Sequence, residues 1–278
     1  MNKKKFLATK IVLAVFLVLV SAIWIYPFLW MISASFKSSM ELFKNGLKLI
    51  PEHFSFDSYS RAWVKGGFSD YFLNSVIVTV STIVLVVIRC LLAGYILAMY
   101  EFKGKKIILL CLVATFMIPT GTTIIPVVEI SDKLCLLNTR IGVILALAGG
   151  GQVASILLYK AFFQNTPKSI SEAAIIDGAG FFSVFARIMA PMTGPVTATT
   201  VIMTFMGAWN NFMIPLVFTF GVPEYRTLPV GMMAFQSVNE TDWSGMAAAG
   251  VMSLLPIIIV FIALQKYFIN GIAGAVKE

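Results

Sequence analysis

Histidine occurs once, at His53, and cysteine three times, at Cys90, Cys111 and Cys135, with no paired spacing. That scarcity supports no disulfide framework, zinc site or histidine-based catalytic centre. Charge is scarce too: Asp, Glu, Lys and Arg make up 12% of the chain, against about 25% in soluble domains. The phosphate cradle Gly-x-x-x-x-Gly-Lys-Ser/Thr is missing, and Gly104-Lys105-Lys106 lacks the rest of it, so ATP hydrolysis by that route is excluded. No soluble domain, low-complexity tract or internal repeat is visible.

What fills the chain instead is apolar. Of 278 residues, 59% are hydrophobic, with a mean hydropathy of +0.90, which marks an integral membrane protein. Six runs are long enough for helices that cross the ~30 Å hydrocarbon core, for which about 20 residues suffice. The expected spans are 11–33, 72–99, 107–128, 141–163, 193–220 and 245–268, in a single all-α transmembrane domain over 1–278. The first run is too long for a signal-peptide core of roughly 7–15 residues, so an uncleaved span is expected despite a passable cleavage site at Ser33-Ala34-Ser35. The third is broken late by Pro119, Gly121 and Pro126, and the fourth is interrupted by Gly149-Gly150-Gly151 with Gln152.

The net charge of +8 reads as topology rather than as nucleic-acid binding. With the amino terminus inside, Lys3, Lys4, Lys5, Lys10, Lys103, Lys105, Lys106, Lys160, Lys168, Arg187, Lys266 and Lys277 all fall on the cytoplasmic side. The short outer loops keep Lys133, Arg140 and Arg226, and the long 36–71 loop counts little in this rule. Both termini are therefore expected in the cytoplasm. Arg89 is the one charge placed deep in a span, where snorkelling or a partner subunit's group is favoured over substrate contact.

Between the fourth and fifth spans lies a polar-to-amphipathic interruption, 166–191. Thr166 or Ser169 suits a helix cap, Pro167 a first helical position, and Ser169-x-x-Glu172 has capping-box spacing. Gly178 and Gly180 end the helix, and Phe181, Phe185 and Ile188 recur at helical spacing. Glu172-Ala173-Ala174 with Asp177, Gly178, Ile188 and Pro191 resembles the EAA loop of binding-protein-dependent ABC importer permeases, in the carbohydrate-uptake, MalG-like branch. Ala190 departs from that pattern, which has leucine before the proline. Gln265-Lys266-Tyr267-Phe268 with Gly271 and Gly274-Ala275-Val276-Lys277 resembles the same branch's carboxyl terminus, and Trp209-Asn210-Asn211 with Pro215 and Leu228-Pro229-Val230-Gly231 extend the likeness over most of the chain.

The resemblance implies a permease subunit of a bacterial cytoplasmic-membrane importer for a sugar or oligosaccharide, with no enzymatic activity of its own. It implies a heterodimer with a second homologous permease, two copies of a nucleotide-binding ATPase that carry the ATP and magnesium, and an extracytoplasmic solute-binding protein. No cofactor or metal is expected on this chain. Glu172, Ala173, Ala174, Asp177, Gly178 and Pro191 would couple to the ATPase, with Gly274 and Lys277 as a tail contact. Tyr225 and Trp243 in the 222–244 loop would meet the binding protein, or belong to a plain solvated loop. Gly151, Gln152, Trp209, Asn210 and Asn211 either line the pathway or pack and hydrogen-bond within the bundle. A non-sugar solute such as glycerophosphate or a peptide, and an ion-gradient-driven transporter, are the rival readings.

Overall fold

The computed structural model describes residues 3–45, 47–119, 121–150, 152–236 and 241–275. Helix dominates, and among the described residues the only strand-like pairing is an isolated antiparallel bridge between Gln236 and Thr241. In chain order the helices are α1 (Lys3–Ala34), α2 (Ser39–Asn45), α3 (Asp57–Ser60), α4 (Phe68–Met99), α5 (Lys105–Ala114), α6 (Ile124–Lys133), α7 (Arg140–Gly149) and α8 (Val153–Gln164). Then come α9 (Lys168–Ile176), α10 (Phe181–Val184), α11 (Ala190–Met192), α12 (Gly194–Trp209), α13 (Met213–Phe218), α14 (Leu228–Gly231) and α15 (Trp243–Ala275).

Three of these, over Thr9–Ala34, Phe68–Met99 and Trp243–Tyr267, are single helices long and apolar enough to cross a membrane. They cover the apolar runs of the expected first, second and sixth spans. Two bent pairs also qualify, Arg140–Gly149 with Val153–Gln164 at 55° and Phe181–Met192 with Gly194–Trp209 at 77°. The expected third span divides into α5 and α6, with Ile118 in extended backbone between them. Pro119 explains the break, since proline disfavours helix in the residue before it. The expected fifth span is likewise not continuous: α12 stops at Trp209 and α13 begins at Met213.

The chain divides into two compact units. One comprises Met1–Ser69 with Gly231–Leu255. Within it, the α15 amino terminus is capped by Asp242, whose Oδ1 accepts the Gly245 backbone N–H at 2.9 Å. Arg61 grips the same carboxylate, Nε to Oδ2 at 3.0 Å and Nη2 to Oδ1 at 3.1 Å, and Nη2 also donates to Ser244 Oγ at 2.9 Å. Burial disfavours the charged Asp242 carboxylate, but the Arg61 hydrogen bond and charge, the Gly245 N–H and the Ser244 hydroxyl outweigh it and hold its pKa below the ordinary value. The Asp242 hydrogen bond raises the Arg61 pKa in turn.

The other unit comprises Asp70–Val230 with Pro256–Glu278. Its core gathers Val86, Cys90, Tyr95 and Leu97 of α4 with Ile156, Tyr159 and Phe163 of α8, and Ala174, Val184 and Met189 join them. The contact that sets this core is made at Gly94, where an added Cβ would lie 2.5 Å from Tyr159 Cβ and 3.0 Å from the Lys160 nitrogen. Only a residue without a side chain lets the α4 and α8 backbones come this close.

Candidate functional site

α9 begins at Lys168 with Pro167 in the cap position and no side-chain cap bond. The expected Thr166 or Ser169 cap and the Ser169–Glu172 capping box are therefore not used. Thr166 Oγ1 instead donates back to the Phe162 carbonyl at 3.0 Å, closing the end of α8, and Ser169 lies inside α9. Proline serves here because its fixed φ suits the entry to a helix and an N–H at that point has no intrahelical partner.

The helix sorts its residues by face. Ser171 and Ala174 are buried, while Ser169, Glu172, Ala173 and Ile176 are exposed at spacings i, i+3, i+4 and i+7, which is one helical stripe. The two alanines of the Glu-Ala-Ala run thus part company: Ala174 packs inward, and Ala173 leaves the exposed backbone bare beside Glu172. Ile176 is 85% exposed and Phe182, just beyond the turn, 77%. Carboxylates at Glu172 and Asp177 flank open apolar side chains, a small mixed acidic and apolar surface left exposed among the described residues.

Gly178 closes the helix with φ +85. Its N–H bonds the Ile175 carbonyl at 3.0 Å, and the Ala179 N–H bonds the Ala174 carbonyl at 2.9 Å, which together make a Schellman turn. Gly180 then starts α10, and Phe181 wedges among rings: Tyr95 at 5.8 Å, Tyr100 at 5.7 Å and Phe185 at 6.3 Å. Phe185 also lies 5.2 Å from Tyr95, which in turn meets Phe163 at 5.2 Å. The turn is therefore mounted on α4 and α8 through aromatic contacts of the kind worth about 0.5–1.5 kcal/mol each beyond burial. Pro191 is exposed, and the stretch before it, Phe185–Met189, widens into a π-turn. A proline has no N–H for the carbonyl four residues back and crowds it, so the register loosens there.

Basic residues accompany the acidic ones. Lys105 Nζ bonds Glu101 Oε1 at 2.7 Å and the Tyr100 carbonyl at 2.9 Å. The Lys105 hydrogen bond, its charge and the nearby Lys168 and Lys106 hold the Glu101 pKa below its usual value. The Glu101–Lys106 turn thus lies electrostatically within reach of the start of α9.

The remaining predicted residues divide. Trp209 is 3% exposed, stacked on Phe205 at 5.5 Å and edge-on to Phe72 at 5.9 Å, in a core position. Asn210 is exposed with its Nδ2 on the Met206 carbonyl at 3.1 Å, and Asn211 Oδ1 accepts the Ile214 N–H at 3.0 Å, so the two amides close α12 and open α13. Gln152 sits at the α8 amino terminus, its carbonyl accepting the Ile156 N–H at 3.1 Å. Tyr225 lies under the Arg140 guanidinium at 4.7 Å, and Trp243 is half-exposed, edge-on to Phe43 at 6.5 Å. Gly274 falls near the end of α15, while Gly151 and Lys277 lie outside the described residues.

Sequence reasoning missed the side chains that fix the Tyr225 segment. Asn74 Nδ2 donates to the Glu224 carbonyl at 2.6 Å and to the Arg226 carbonyl at 3.0 Å, while its Oδ1 accepts Arg140 Nε at 2.8 Å. Ser75 Oγ takes the Leu228 N–H at 2.8 Å. The signal was present as two adjacent amide and hydroxyl residues near the start of a predominantly apolar run.

Comparison with known proteins bears on the fold and the family. A solved chain from a bacterial ABC transporter involved in the import of the acidic polysaccharide alginate superposes with a TM-score of 0.86 at 24% identity, covering 96% of this chain and 99% of that one. At that identity the likeness speaks to the fold alone. The probable ABC transporter permease protein YurM of Bacillus subtilis is 38% identical over 253 residues, 91% of this chain and 83% of its own. The diacetylchitobiose uptake system permease protein NgcG of Streptomyces coelicolor is 35% identical over 264 residues, 94% of this chain and 85% of its own. Residues 90–274 match the family described as binding-protein-dependent transport system inner membrane component. The apolar helices, the shared permease fold and these matches place the chain in that family, as a multi-pass ABC transporter permease.

Proposed function

We propose that this chain is the permease subunit of an ATP-driven importer for a sugar or oligosaccharide, and that α9 with its Gly178 turn receives the stroke of a separate ATPase. The observation that carries the reading is the exposed Glu172–Ala173–Ile176 stripe, closed by a glycine turn and mounted on the core through Ala174 and the Phe181 rings. A rigid helix with one bare, mixed acidic and apolar face is suited to seating in a cleft of a partner and moving with it. The sugar assignment draws on relatives named for diacetylchitobiose, arabinooligosaccharides and melibiose/raffinose/stachyose.

In this reading the chain crosses the membrane six times, α5 with α6 and α12 with α13 each forming one interrupted crossing, with both termini and α9 in the cytoplasm. A homologous permease encloses the pathway with it, two ATPase copies below bind ATP and magnesium, and a solute-binding protein docks above near Tyr225 and Trp243. Asn210, at the exposed break between α12 and α13, and Gln152, at the α7–α8 bend, are the pathway candidates, since interrupted helices expose backbone where a crossing lines a cavity. Closure of the ATPase shifts the bundle between inward- and outward-open states only so far as contacts at α9 differ between them. The test is ATP hydrolysis by the purified assembly with and without sugar-loaded binding protein. Stimulation that Glu172→Lys abolishes supports the proposal; an unstimulated assembly, or full stimulation in that variant, refutes it.

A further inference from the structure

The chain that follows α1 folds back along it. The Tyr26 hydroxyl donates to the Leu47 carbonyl at 2.8 Å. Tyr26 lies eight residues before the α1 carboxyl end at Ala34, which is about 12 Å along a helix axis. Helical side chains lean toward the amino terminus, so the hydroxyl sits no higher than that level. For a ~30 Å core centred on the 11–33 apolar run, the Tyr26 level lies well inside the boundary. α2, seven residues long, runs before Leu47 and provides about 10 Å of chain, enough to reach it.

Neighbouring polar groups of this segment are held by side chains in the same way. Ser33 Oγ donates to the Leu49 carbonyl and Lys37 Nζ to the Lys48 carbonyl. Glu41 Oε1 accepts the Glu52 N–H at 2.7 Å. Three consecutive carbonyls, of a segment in neither helix nor strand, are thus occupied by side chains from α1 and the residues that follow it. Lys37 is itself 1% exposed. Chain in water has no need of such replacement partners, whereas chain at hydrocarbon depth cannot leave these groups open. The side chains point the same way: Leu47 is 68% exposed and Ile50 82%, and α2 turns out Met40 and Phe43 at 81% and 74%. Lys44 and, within the turn itself, Lys48 are exposed beside them, as suits cations that snorkel to the headgroups.

We infer that α2 and the Leu47–Ile50 turn form a re-entrant interfacial segment, with the turn immersed in the leaflet where α1 ends and lipid as its occupant. The inference rests on α1 being a membrane span and is independent of what the protein transports.

Nitroxide labels test it on the assembled protein in phosphatidylcholine–phosphatidylglycerol vesicles. The background is Cys111→Ser with Cys135→Ser, and labels are carried by Leu47→Cys, Ile50→Cys and, as a surface reference, Lys44→Cys. At positions 47 and 50 collisions with oxygen, which partitions into lipid, should exceed those with an aqueous nickel chelate, and the order should reverse at 44. Nickel dominating at 47 and 50 would place the turn in water and overturn the inference. Low collision rates with both would mean that a protein surface, such as a companion permease, covers the turn, which also overturns it. In case Leu47→Cys disturbs the fold, Ile50 alone decides, its side chain being nearly free already. Adding Tyr26→Phe should then raise nickel access at 50, because removing the hydroxyl releases the strap.

Discussion

Two helix ends in this protein are fixed by opposite means. The α9 carboxyl terminus is closed by backbone alone, through the Gly178 and Ala179 N–H groups. The α15 amino terminus is closed by charge, with Asp242 gripped by Arg61 and by the Gly245 N–H. The glycine turn leaves its acidic side chains, Glu172 and Asp177, exposed for another surface. The clasp spends its acidic side chain on the fold. A carboxylate beside a helix end therefore does not announce its role by type; what it faces decides.

Experiments can press on this contrast, beginning with the largest effect. Glu172→Lys should reduce binding-protein-stimulated ATP hydrolysis and uptake at least about tenfold, an effective loss near 1.4 kcal/mol, while detergent thermal unfolding stays within about 2–4 °C of wild type. An unchanged uptake rate would remove α9 from the coupling route. Gly245→Val acts at the other end: an added Cβ would lie 2.6 Å from Asp242 Oδ2 and 3.1 Å from Phe235 Cδ1. Overpacking of this kind costs about 1–3 kcal/mol, and it should appear as a lowered unfolding midpoint, whereas a wild-type midpoint would show the clasp to be slack.

Gly178→Val should cost about 1–2 kcal/mol, since a β-branched residue resists positive φ, and the loss should be read in coupled uptake. Gly178→Asn should be milder, because asparagine tolerates that backbone region. Arg61→Gln should cost about 1 kcal/mol or less, because its ion pair remains partly exposed, 37% and 32% for the two side chains. Added salt should shrink that difference in unfolding midpoints and leave any Gly178→Val defect unmoved.

The smallest effect is in pH. Asp242 titrates below its ordinary value of 3.8, so its contribution is fully present above that value and is lost as pH falls through the lower folded-state pKa. Midpoints of wild type and Asp242→Asn should therefore converge only in acid below the normal aspartate range. Convergence near neutrality would contradict the clasp.

Much of the fold is legible where one physical rule acts alone. The first, second and sixth spans follow from apolar length, and each emerges as one helix. The third and fifth required knowing where competing terms cancel: Pro119 ends α5's continuation, and Asn211 supplies a side-chain acceptor that makes a new helix start at Met213 as favourable as continuing α12. At the candidate site, Gly178 is readable as a stop, because a glycine past an amphipathic turn has few other uses. The entry cap is not: Thr166 and Ser169 carry suitable hydroxyls, and the choice between them and Pro167 depends on Thr166 bonding backward to Phe162. Trp209 was ambiguous for a similar reason, since an indole serves a core or a sugar face equally until Phe72 and Phe205 are seen against it.

The open space around Gly178 has one more consequence. Among the described residues, no atom beyond its two chain neighbours lies within 4 Å of where its Cβ would be, yet its φ is +85. Size is therefore not what glycine supplies; achirality is. A D-alanine introduced there by semisynthesis should sit at its natural torsion and stiffen the turn by restricting the unfolded chain, while L-alanine, the same atoms in mirror image, should strain it.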